Sequence, residues 1–137
     1  MADTTTDMVN HPQHYTQYKH EVIELTGQLT FKIGNAVKYV LRSPFKGAEE
    51  EDLRKAKWYV THLDPRFDRV EKIDPLLVLS YMEPLVGMLV LGIHSACQER
   101  NPERAKKMYS ATKASTIACL DYLIERASQK VKGMSNA

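Results

Sequence analysis

The stretch LLVLSYMEPLVGMLVLGI, Leu76 to Ile93, constrains the fold of this 137-residue chain more than any other, because its 18 residues carry one charge, Glu83. A run of that length raises the question of a membrane span. Glu83 and Pro84 stand at its centre, where a carboxylate costs about 2.5–3.5 kcal/mol on insertion scales, and no basic bias flanks the run. The expectation is therefore no membrane span. A helix that is apolar all round belongs in the middle of a bundle or in an oligomer interface.

The surrounding punctuation is helical. Asp74-Pro75 and Asn101-Pro102 each join an N-cap residue to a proline suited to the first helical turn, and Gly133 is expected to stop the last helix. Upstream, His20 to Thr26 reads as a short helix ended by Gly27. In FKIGNAVKYVLR, residues Ile33, Ala36, Val37, Val40 and Leu41 share one face, and Ser43-Pro44 ends that helix. Acidic Glu49, Glu50, Glu51 and Asp52 suit the start of a third helix, with Leu53, Ala56, Val60 and Leu63 as its buried stripe and Pro65 beyond it. No strand-like alternation and no hairpin turn occur. The expected fold is all-α, a compact bundle of about five helices in a single domain, 1–137, with residues 9–63 preceding two long helices in 74–133. A lone five-helix chain cannot cover the Leu76–Ile93 helix on every side, so a homo-oligomer is expected.

Composition narrows the setting. Nineteen basic against 17 acidic residues leave a net charge of +2 with no separate basic block, which argues against direct nucleic-acid binding. Cys97 and Cys119 lie in helical segments rather than a spaced framework, as free thiols of a reducing cytoplasm do. The start, MADTTTDMVN, has neither basic residues nor an apolar run and does not read as a signal peptide.

Four groups of residues can carry chemistry. In NHPQHY, Asn10 to Tyr15, His11 and His14 can move a proton or ligate a metal and Tyr15 can bond a phosphate; equally, Tyr15 can plug the core while the histidines cap helices. Asn35, Lys38, Tyr39 and Arg42 form one polar stripe, suited to a nucleotide phosphate or simply solvated. Asp52, Lys55, Tyr59 and His62 form another, beside Trp58. Either Trp58 or Tyr59 can stack on a base, and at least one of them is expected to be buried. Finally, Glu21-x-x-Glu24 and Glu49-x-x-Asp52 space acids for Mg²⁺ against a triphosphate, a pattern that resembles the all-α nucleoside triphosphate pyrophosphohydrolases. No glycine-rich phosphate loop is present, so phosphate binding must come from side chains and helix ends.

Taken together, NHPQHY, EVIEL, FKIGNAVKYVLR, Lys46-Gly47 and EDLRKAKWYV resemble a family of short phage-encoded proteins of unknown function often labelled nucleotide kinase, over Val9 to Leu63. After Arg42 the family usually continues with a small residue, glycine and lysines, whereas here Ser43-Pro44-Phe45 precede Lys46. The resemblance implies a phage protein acting on nucleotides in the cytoplasm of the infected cell, phosphorylating deoxynucleoside monophosphates with ATP as donor and without a P-loop. Under that reading His11, His14 and Arg42 are the catalytic candidates, and Tyr15, Asn35, Lys38, Tyr39, Lys46, Trp58 and Tyr59 bind substrate. Two alternatives stand beside it. One is a Mg²⁺-dependent pyrophosphohydrolase using Glu21, Glu24, Glu49 and Asp52; the other is an oligomer that sequesters a nucleotide unchanged.

Overall fold

The computed structural model describes residues 18–45 and 47–135. These form six helices and no strand: α1 (Val22–Thr26), α2 (Phe31–Arg42), α3 (Glu49–Thr61), α4 (Pro75–Ser80), α5 (Pro84–Gln98) and α6 (Pro102–Ser135). The all-α expectation holds, with one helix more than expected. The extra helix comes from a break in the apolar stretch. Pro84 has no N–H to continue a helix and pushes Glu83 out of the α region. Glu83 becomes the N-cap of α5, its side chain accepting from Leu85 N–H at 3.2 Å, and Met82 takes a left-handed φ of 54°.

The break also divides the stretch into a buried part and an exposed part. In α5, Leu85, Val86, Leu89, Val90 and Ile93 are buried, but Leu76 and Leu79 on α4 and Met82 just beyond it are exposed at 75%, 56% and 89%. No helix among the described residues is long and apolar enough to cross a membrane. A second correction concerns the last helix, which runs past Gly133 to Ser135. A glycine can end a helix but does not oblige it to end.

The other boundaries fall where the sequence places them. Gly27 caps α1, Ser43 caps α2, and the Asp74 and Asn101 side chains accept from Leu76 and Arg104 N–H at 3.0 Å each. The predicted stripes of α2 and α3 are all buried. Helix α6, about 50 Å long at 1.5 Å per residue, packs along both α3 and α5 and so joins the two halves of the chain. Its approach to α5 is closest at Gly92, where an added Cβ would lie 2.7 Å from the Thr112 side chain.

The loop from α3 to α4 is secured by side chains as well as by its own turns, in which Phe67 and Asp68 N–H both donate to the Asp64 carbonyl. Buried Asp68 accepts from Thr30 Oγ1 and from Asp64 N–H, while its carbonyl accepts from Tyr109 Oη at 2.7 Å. Lys32 and Lys113 donate to the carbonyls of His62 and Leu63, and His94 Nδ1 meets the Val70 carbonyl at 2.9 Å. At the other end, Tyr18 donates to the Leu41 carbonyl, Tyr81 donates to that of Glu21, and the two rings pack edge to face.

Candidate functional site

Helices α2 and α3 lie side by side, and the polar stripes predicted on them meet along one face. Tyr39 and Tyr59 stack across the seam with ring centroids 6.1 Å apart and planes inclined by 13°. Phe31 and Trp58 meet Tyr59 edge-on, and Trp58 stacks on His62 at 4.1 Å. The His62 ring is fixed by donation from Nδ1 to the Trp58 carbonyl. The face is thus an aromatic row from Tyr39 to His62, open to solvent at Phe31 and Trp58. Neither Trp58 nor Tyr59 is fully buried, against expectation. Tyr59 only leans on the core, because the small Ala56 and the short Val60 fill the buried stripe of α3.

Three cations gather around the Tyr39 ring: Lys38 Nζ lies 4.5 Å from its centroid, and Arg42 Cζ and Lys55 Nζ each lie 5.3 Å away. Their availability differs. Arg42 Nε donates to Asp52 Oδ2 at 3.3 Å, and this pair is mostly buried, with side-chain exposures of 15% and 1%. Asp52, expected to complement the helix start, to ligate metal or to join the polar stripe of Lys55, Tyr59 and His62, is the partner that locks α2 to α3. Its Oδ1 is buried without a hydrogen-bond partner. Lys55 forms an exposed pair with Glu51 at 3.0 Å, a hydrogen bond that raises its pKa. Lys38 has no carboxylate partner among the described residues; it lines a shallow cleft of about 270 Å³ together with Phe31, Gly34 and Asn35. Asn35 spends its amide nitrogen on the Phe31 carbonyl of its own helix.

Of the candidates, Asn35, Lys38, Tyr39, Arg42, Trp58 and Tyr59 thus share one face. His11, His14, Tyr15 and Lys46 lie outside the described residues. The four acids of the metal alternative are not brought together: Glu24 pairs with His20, Glu49 with Lys130 and Asp52 with Arg42, while Tyr81 holds the Glu21 backbone. No three His, Cys, Asp or Glu residues among those described are grouped to hold a metal ion. Helical spacing placed Lys55 on one stripe with Tyr59. Its approach to Tyr39 crosses from α3 to α2 and emerges only from how the two helices pack.

Residues 9–61 match a family described as protein of unknown function (DUF3310), a segment that ends on the last residue of α3 and covers less than half of the chain. No curated protein and no solved structure matches the chain. The matched segment contains both helices of the face, whereas the α3–α4 loop and helices α4 to α6 lie outside it.

Proposed function

We propose that the α2–α3 face binds a nucleotide, with phosphate held by Lys38 and Lys55 beside Tyr39 and the base lying against Phe31 or Trp58. The observation that carries this reading is the convergence of three cations on the Tyr39 ring, one of which, Lys38, also lines a cleft together with the exposed Phe31. Lys55 can exchange Glu51 for phosphate, since an exposed ion pair contributes only about 0–1 kcal/mol. The cleft is smaller than the roughly 300–1,000 Å³ that encloses a whole drug-sized ligand, so it suits a sugar or a phosphate, with the remainder of the ligand stacked outside. Base–aromatic stacking adds about 1–3 kcal/mol per base.

Resemblance over Val9 to Leu63 extends the proposal to a reaction: transfer of the γ-phosphoryl group of ATP to an oxygen of a deoxynucleoside monophosphate, giving ADP and a diphosphate. Such transfer asks mainly for positioning and charge neutralisation, which the lysines supply. Arg42 contributes by anchoring Tyr39 and α3 through Asp52.

Trp58 is the only tryptophan, so its fluorescence reports on this face directly. Titration with deoxynucleoside monophosphates is expected to give a saturable change, weakened about tenfold or more by Lys38→Ala, because a hydrogen bond to a charged group contributes about 1.5–3 kcal/mol. No change with any nucleotide would refute the reading. Chromatography of the same mixtures with ATP separates the reactions: diphosphate marks the kinase, released pyrophosphate the hydrolase, and intact ligand a sequestering protein.

A further inference from the structure

Outside the matched segment, the exposed Leu76, Leu79 and Met82 of the α4 region stand beside a groove between α5 and α6. The groove, of about 440 Å³, is lined by Pro84, Leu85, Met88, Ala118, Cys119, Tyr122 and Leu123, with Glu83, whose carboxylate accepts from Leu85 N–H, as its one charged residue. Leu79 packs 3.8 Å from the position of a Cβ on Gly87, which makes the α4 side chains and the α5 rim one continuous surface. Leu76, Leu79, Met82, Met88 and Tyr122 together expose on the order of 600 Å², at the top of the ~300–600 Å² that the largest apolar patch of a monomer reaches. That area approaches the ~800 Å² each partner contributes to a standard interface. The adjoining part of α6 is also poor in charge. From Met108 to Leu120 the one charged residue is Lys113, and it turns away to the Leu63 carbonyl.

We infer that a second copy of this chain covers this face, in a two-fold dimer where Met82 of each copy enters the α5–α6 groove of the other. The face carries both halves of such a contact: a methionine 89% exposed at the corner between α4 and α5, and an apolar recess beside it large enough to receive that side chain. A two-fold contact requires this self-complementarity, since each residue pair occurs twice. The backbone supports the same assignment. Met82 holds a left-handed φ that a long side chain rarely adopts, with its apolar side chain left exposed.

Sedimentation equilibrium of the full chain at about 100 µM tests the inference. The expected mass is twice the 15.7 kDa of the chain. Met82→Asp is expected to give the single-chain mass with unchanged helical circular dichroism, because aspartate tolerates the left-handed conformation better than methionine. Ala118→Arg, inside the groove, is expected to do the same, and the double variant Met82→Asp/Ala118→Arg to regain the dimer through a charge pair between copies. A wild-type protein that sediments as one chain leaves the face to some other occupant and overturns the inference. A dimer indifferent to both single substitutions, or a double variant that stays monomeric, overturns it equally.

Discussion

The α2–α3 face and the α4–α5–α6 face are built on opposite principles. The first is joined by a buried ion pair, a tyrosine stack and cations laid over an aromatic ring. The second is joined almost wholly by aliphatic packing, with α6 drawn onto α5 at a glycine. The polar face has directional groups that select a ligand by charge and plane. The apolar face has area and shape alone, which suits association between protein surfaces. The difference teaches where each kind of substitution will act: charge changes should damage the first face, and volume changes the second.

The largest effect is expected at the ion pair. Arg42→Ala leaves the Asp52 carboxylate buried and unpaired, which costs about 3–5 kcal/mol, whereas replacing both residues with leucine should recover most of that loss. Urea unfolding of the two variants checks this; a neutral Arg42→Ala would show that the seam does not depend on the pair. It also follows that lost turnover in Arg42→Ala says little about catalysis, which makes Lys38 the better probe.

Gly92→Ala comes next. Its methyl group would press on Thr112, and overpacking of this kind costs about 1–3 kcal/mol. A thermal midpoint equal to that of the wild type would mean that α5 and α6 separate easily. Alkaline pH should then act at the junctions between the halves. Burial, helped by Glu83, pushes the Tyr18 hydroxyl up to about 12; burial, with Glu24 and Glu21 adding to it, does the same to Tyr81; Tyr109 is also raised, by burial and by Asp68. Because the folded values lie above the ordinary value of 10.0, this stabilisation is complete below pH 10 and is lost as the pH rises toward 12. Circular dichroism should show midpoints falling through that window, less steeply in Tyr18→Phe; a flat profile would contradict the buried positions. The smallest effect is expected for Leu76→Gln, within about 0.5 kcal/mol in dilute protein, as for surface sites generally.

Much of the first half was legible because local rules and tertiary packing agree there. Apolar spacing in FKIGNAVKYVLR and the acids before Leu53 set α2 and α3 and their buried faces without further information. The break at Tyr81–Glu83 was written in the sequence as Glu83-Pro84, but the surrounding apolar run suggested a continuous helix, and periodicity cannot tell a buried helix from a bent one. At the site, helical spacing placed Asn35, Lys38, Tyr39 and Arg42 on one stripe. It could not show that Arg42 is engaged by Asp52 or that Lys55 reaches Tyr39, because those contacts cross between helices and depend on how α2 and α3 rotate against each other. The exposure of Met82 was equally hidden, since it follows from one left-handed residue.

The central claim, that the α2–α3 face receives a nucleotide, is tested most directly by mapping amide chemical shifts of isotope-labelled protein during titration with a deoxynucleoside monophosphate. The account predicts saturable shifts concentrated in Phe31–Arg42 and Glu49–His62, with α4 and the α5–α6 groove silent. Shifts centred on α4 to α6, or none at millimolar ligand, would contradict it.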